Sequence, residues 1–213
     1  MESKQTKILV YSAMAVSTLL VGTAIFLFIK KNSFRKRLIK EAMSEWKYWK
    51  FGKTKESSSE IYPKLKSYWD SIGWSESDWH PNGTAWSSAF IAYVMRKANA
   101  GDNFKYSSSH STYIRDAVKN RKQKKSNPFK AYKTNEKKVG VGDLVCYSRQ
   151  SGVDYDTESS YLSHCDIVIK SNKNEAEVIG GNVGNTVGKK TVKLKNGYIN
   201  DSSNNWFTII KTS

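Results

Sequence analysis

The sequence predicts an α+β domain behind a single transmembrane helix, and three observations carry the prediction. The run from Ile8 to Ile29 holds no charged residue. From Phe34 to Asn120 apolar side chains recur at helical spacing, and from Val139 onward short β-branched and aromatic runs alternate with Gly, Asn and Asp. Helices succeeded by strands argue for an α+β arrangement rather than repeated βαβ units. The chain divides into an N-terminal tail over 1–7, a transmembrane helix over 8–29, a basic amphipathic juxtamembrane helix and linker over 30–60, and a domain over 61–213.

The apolar run ILVYSAMAVSTLLVGTAIFLFI covers roughly 33 Å as a helix, the thickness of a hydrocarbon core. A cleavable signal peptide has a shorter apolar stretch and a small-x-small site. This run instead ends in Phe26, Leu27, Phe28 and Ile29 before Lys30 and Lys31, so a retained single-pass anchor is expected. Lys30, Lys31, Arg35, Lys36, Arg37 and Lys40 come after the run and only Lys4 and Lys7 precede it, a bias that favours the cytoplasmic side for the C-terminal domain.

Phe34, Leu38, Ala42 and Trp46 stand at four-residue steps with Ile39, Met43 and Trp49 beside them, which predicts an amphipathic helix ending at Phe51-Gly52. Its basic residues suit either anionic lipid head groups or a helix whose aromatic stripe packs on the domain. KTKESSSE over 53–60 is a polar linker. A second helix is expected over Ile61–Ile72, with Pro63 in its first turn and Gly73 at its end. Pro81, Asn82 and Gly83 mark a loop. The next helix lays Ser87, Phe90, Ile91, Val94 and Met95 along one face and stops at Asn99 to Gly101. A shorter one begins near Ser109 with Tyr113, Ile114 and Val118 inward, and 120–138 reads as a basic surface loop. VGVGDLVCYSR, SHCDIVIKS, EAEVIGGN, TVKLKNGYI and WFTIIKT supply the strands of an antiparallel sheet.

Lysine and arginine outnumber aspartate and glutamate 35 to 19, a formal charge of +16, and 38% of the residues are hydrophobic. That composition excludes wholesale disorder and points to an anionic partner: a membrane surface, a cell-wall polymer or a nucleic acid. Nucleic acid ranks third, because no recognised motif accompanies the basic residues. Cys146 and Cys165 lack C-x-x-C spacing, so neither a structural zinc nor a thioredoxin-type redox centre is expected, and both read as small buried core residues. His80, His110 and His164 form no H-E-x-x-H arrangement, and neither a metal nor a cofactor is expected.

Five segments in one order carry a resemblance: W-S-S-A-F-I-A-Y-V-M, S-S-H-S-T-Y-I, G-D-L-V-C-Y, S-H-C-D-I-V-I and V-I-G-G-N. From Glu45 onward the chain resembles the NlpC-type and CHAP-type cell-wall hydrolases, which share a papain-like core. It is most similar to a domain-of-unknown-function family allied to them, whose members carry W-S-A-A-F and H-C-D-I-V segments. The resemblance implies N-terminal helices packed on an antiparallel sheet. It also implies a nucleophile opening the first core helix, a histidine on a facing strand and an orienting polar residue on the next strand. Those positions fall on Ser87, His164 and Asn182. NlpC-type and CHAP-type enzymes place cysteine where this chain has Ser87, and a hydroxyl depends more heavily on its base than a thiol does.

A nucleophile at a helix N-terminus lies beside free backbone N–H groups that stabilise an oxyanion. Ser87 is therefore either that nucleophile or an ordinary N-cap, and Asn182 either holds the imidazole tautomer or is a turn residue after Gly180-Gly181. Strand alternation puts His164 and Asp166 on one face, which makes Asp166 an acidic partner for the histidine. Trp86 and His110 are the substrate-binding candidates, His110 having a helix cap as its other reading; Cys165 and Cys146 are fallback nucleophiles. The expected function is a membrane-anchored peptidoglycan hydrolase that cleaves an amide bond. The alternative is a catalytically inactive wall-binding or protein-binding module of the same fold. Wall chemistry requires the outer face, against the basic cluster after the anchor, which leaves a bacterial cell membrane facing the wall or the membrane of a bacterial virus particle as locations.

Overall fold

The structure, a computed structural model, describes residues 33–81 and 83–212. Helix α1 runs over 33–48 and buries Leu38, Ala42, Glu45 and, just past its end, Trp49. The spacing of these four residues keeps one face of a helix against the domain. This face is rotated from the expected stripe, since Trp46 is only half-buried and Met43 is exposed. Glu45 is tolerated there because Lys64 pairs with it at 3.0 Å and the Tyr68 hydroxyl donates to it. The Trp49 indole donates to Tyr68 and stacks on Trp86 with centroids 4.9 Å apart.

The basic residues at the start of α1 have partners within the domain. Arg35 pairs at 3.0 Å with Asp143, which is fully buried and also meets Lys211. Arg37 donates to the Ala98 carbonyl at 2.8 Å. Burial raises the Asp143 carboxyl above its usual range even though Lys211 and Arg35 pull it down. Of the two readings of this helix, packing on the domain describes the face that carries Leu38, Ala42, Glu45 and Trp49.

Among the described residues no helix is long and apolar enough to cross a membrane. Helix α1, the nearest to the expected anchor, carries Arg35, Lys36, Arg37, Lys40, Glu41, Glu45 and Lys47 along its length. The expectation of a transmembrane helix in front of the domain, and with it of a single-pass membrane protein, is corrected on this finding. The stretch 8–29 on which it rested lies outside the described residues.

Three further helices come next: α2 over Tyr62–Asp70, α3 over Ser87–Lys97 and α4 over His110–Lys122. Seven antiparallel strands come after them: β1 Phe129–Lys133, β2 Leu144–Ser148, β3 Ser163–Ser171, β4 Glu175–Gly180, β5 Gly188–Lys195, β6 Tyr198–Ile199 and β7 Asn205–Thr212. They lie in the order β1-β7-β2-β3-β4-β5-β6. The α+β expectation therefore describes the domain. Strand β1 lies in the segment expected to be a basic loop; Phe129 and Ala131 alternate inward while Lys130 and Tyr132 sit between them, and the strand pairs with β7.

Register on β2 and β3 divides the sheet's chemistry by face. Tyr147 opposes His164 and Val145 opposes Asp166, so these four share one face, together with Val168 of a valine-rich core. Cys146 opposes Cys165 on the other face, where the two form a disulfide with Cα atoms 4.1 Å apart. The reading of both cysteines as unpaired core residues is corrected accordingly: they are buried, and they are bonded to each other.

Candidate active site

Ser87 and His110 each occupy the first position of a helix, and the two helices bring them together. Ser87 Oγ lies 2.7 Å from His110 Nε2. The N-cap of α3 is Trp86, and neither α3 nor α4 has a side-chain hydrogen bond capping its first turn. The Ser87 hydroxyl is bonded to the histidine, and the N-cap side chain takes none of the first-turn N–H groups of α3.

Hydroxyl groups stand behind the His110 ring. Ser88 Oγ donates to the Ser107 carbonyl at 2.8 Å, a group that can only accept. The Tyr113 hydroxyl is bonded to His110 Nδ1. Burial raises that phenol well above its usual range, so it keeps its proton. Where Tyr113 accepts from His110 Nδ1–H, Nε2 is bare and can accept from the Ser87 hydroxyl. Burial first, then the neighbouring His164, hold His110 well below the usual histidine range; Asp166 opposes them. The low value favours the neutral ring, 2.7 Å from the serine hydroxyl.

His164 is held differently. Arg149 Nη2, which can only donate, lies 3.1 Å from Nδ1, and Asp166 Oδ1 lies 3.0 Å from Nε2. Both nitrogens are taken, with the proton on Nε2. Burial pushes the Asp166 carboxyl up, but His164 and Lys190, the latter 2.9 Å from Oδ2, outweigh it and hold it at about 2. The two imidazoles sit beside each other with centroids 5.3 Å apart, and the Tyr147 ring lies 5.1 Å from that of His164.

Of the residues named from sequence, the structure gathers Ser87, His110, His164 and Asp166 into one buried cluster. The partner of Ser87 is His110, which was expected at the substrate, while His164 pairs with Asp166 as strand alternation implied. Asn182 is a half-buried turn residue at φ 56 after β4, and neither His164 nitrogen is bonded to it. Trp86 is buried; its indole donates to Glu56 and its ring stacks between Trp49 and Tyr68. Among the described residues no group of three or more His, Cys, Asp or Glu side chains is placed to hold a metal ion.

The family described as "Uncharacterized protein conserved in bacteria (DUF2272)" matches residues 41–211, from within α1 to the end of β7. The chain belongs to the DUF2272 family. No curated protein and no solved structure matches it.

Four residues of this DUF2272 site are not singled out by the sequence pattern: Tyr113, Arg149, Lys190 and Gly180. The spacing of His110 and Tyr113 on one helix was a usable signal, because residues three apart share a face. Gly180 had a signal too, in the V-I-G-G-N segment, but its reason is spatial. A Cβ there would stand 2.0 Å from Asp166 Oδ1 and 2.9 Å from His164 Nε2. Gly181 is excluded from larger side chains in the same way, by Phe90 Cβ at 2.4 Å. Arg149 comes directly after β2 and Lys190 lies on β5; only the folded sheet brings them to His164 and Asp166.

Proposed function

We propose that the domain is a hydrolase of amide bonds in peptidoglycan, with Ser87 as nucleophile and His110 as its base. The observation that carries the reading is the 2.7 Å contact from Ser87 Oγ to His110 Nε2; with Tyr113 accepting from Nδ1–H, the Nε2 lone pair faces the hydroxyl. Ser87 Oγ attacks the carbonyl carbon as its proton passes to Nε2, and N–H groups at the start of α3 take the oxyanion. The C–N bond then breaks, the amine leaves with the proton from His110, and water hydrolyses the acyl-serine by the same route. Asp166 supports the positive charge that develops on His110. The choice of peptidoglycan is supported by the resemblance of the five sequence segments to wall hydrolases and by the formal charge of +16, which suits an anionic wall.

A second reading, a binding module without chemistry, is favoured by the closure of the cluster: Ser87 and His110 are each 4% exposed and His164 0%. Incubation of the full chain with purified peptidoglycan, and then mass analysis of released fragments, separates the two. The hydrolase reading expects fragments from wild type and none from Ser87→Ala, with His110→Gln slower by about 10²- to 10⁴-fold. Absence of fragments from wild type, or equal release by Ser87→Ala, sinks it.

A further inference from the structure

A shallow, wide-open depression of about 590 Å³ lies beside the cluster, lined by Tyr147, Arg149, Gln150, Asn204 and Asn205 among others. Arg149 is exposed, and its one hydrogen-bonded side-chain partner among the described residues is His164 Nδ1 at 3.1 Å. No carboxylate among the described residues pairs with it, unlike Lys190 across the sheet, which sits on Asp166 at 2.9 Å. A guanidinium has five N–H donors in a planar fork, and one contact to an imidazole leaves most of that fork facing the depression. The depression thus offers one unneutralised cation ringed by neutral amides, with the exposed Leu162 beside it, its carbonyl accepting from the Arg149 N–H at 2.9 Å. A planar donor fork pairs bidentately with a carboxylate or a phosphate, and of the two the peptide chemistry of the proposed reaction supplies the carboxylate. From the floor of the depression Arg149 reaches His164, whose ring neighbours His110, so a ligand held there lies along the edge of the serine–histidine pair.

Resting on the hydrolase reading, we infer that Arg149 anchors the free carboxylate of a peptide substrate in this depression. The wall substrate is then selected through a carboxylate-bearing stem peptide rather than through sugar alone. Arg149 thereby also reports occupancy to His164, since a carboxylate competes for the donor that now holds Nδ1.

The test uses the full chain carrying Ser87→Ala, so that nothing turns over, and titrates it calorimetrically with acetyl-Ala-Ala and with the same dipeptide capped as its amide. The acid is expected to bind about tenfold or more tightly than the amide, and Arg149→Gln to erase that preference. Arg149→Lys keeps the charge without the fork and is expected to retain part of the preference; it serves if the glutamine variant fails to fold. Equal binding of acid and amide, no binding of either, or a preference that survives loss of the arginine overturns the inference. So does inorganic phosphate displacing the acid at equal concentration, which moves the site to phosphate ligands. Peptidoglycan release by the wild-type chain is read separately. A carboxylate preference without release removes the hydrolase and leaves the anchor, whereas release without a preference removes the anchor alone.

Discussion

Replacing Gly180 with alanine places a methyl carbon 2.0 Å from Asp166 Oδ1 and 2.9 Å from His164 Nε2, whereas real Cβ contacts essentially never fall under 3.0 Å. The Asp166 carboxylate must withdraw by about 1 Å or more to clear it. It has nowhere neutral to go, because Oδ1 holds His164 at 3.0 Å, Oδ2 faces Lys190 at 2.9 Å and the side chain is fully buried. Breaking a buried pair costs about 3 to 5 kcal/mol, a large share of the roughly 5 to 15 kcal/mol that holds a domain together. For a domain of this size that corresponds to a fall in Tm of about 6 to 20 °C. Thermal and urea denaturation read it directly, with Gly83→Ala as control, since the nearest atom to a Cβ there is 3.8 Å away. Pairing Gly180→Ala with Asp166→Ala adds a second check: removing the carboxylate removes the collision, so the two costs should fall short of additivity by about 1 kcal/mol or more. If Gly180→Ala is as stable as the Gly83 control, or the pair is strictly additive, the close approach that defines this cluster is wrong.

Acid should weaken the fold in two windows. His110 is held well below its ordinary value of 6.5, so the unfolded chain takes up the proton first and stability falls as pH drops below 6.5; His110→Gln should flatten that slope in urea titrations. Asp166 moves from 3.8 to about 2, which contributes about 2 kcal/mol above pH 3.8 that is lost as pH falls toward 2. Reduction of the Cys146–Cys165 disulfide, which closes a separation of 19 residues, should cost about 3 kcal/mol in stability, read from urea denaturation with and without reductant. No change would mean the bond is not formed in the native protein. Ser87→Cys puts a thiol against His110 at a helix N-terminus and should be alkylated by iodoacetamide faster than free cysteine at neutral pH, by mass spectrometry.

The helices and most strands were legible because their burial is periodic. Ile91, Val94 and Met95 on α3 and the alternation of β3 stem directly from side chains that must avoid water. Strand β1 was obscured because it is short, shows only Lys130 and Tyr132 between its inward residues, and lies in a lysine-rich stretch that looks the same in a solvated loop as on an edge strand. The face of α1 shifted because Glu45, which pattern reading sends to solvent, is buried against Lys64 and Tyr68. The disulfide was hidden by the loop between β2 and β3: spacing along the chain says nothing about which residues oppose one another once that loop is closed.

The site divides along the same line. Position at the start of a helix singled out Ser87, and alternation paired His164 with Asp166, since both rest on local geometry. Which histidine serves the serine does not. It depends on the partners that hold each ring, and those come from four separate elements or loops. Arg149 and Asp166 are a pure donor and a pure acceptor, so they fix His164 in one tautomer with no lone pair to spare. His110 is backed instead by the Tyr113 hydroxyl, which can both donate and accept, and its Nε2 faces the Ser87 hydroxyl, which can do the same. A base must change protonation during the reaction, and only a ring whose neighbours can reverse their roles does so without leaving a buried donor unpaired. On the hydrolase proposal, that physical difference, rather than the identity of the side chain, favours His110 as the base and leaves His164 to hold the Asp166 carboxylate.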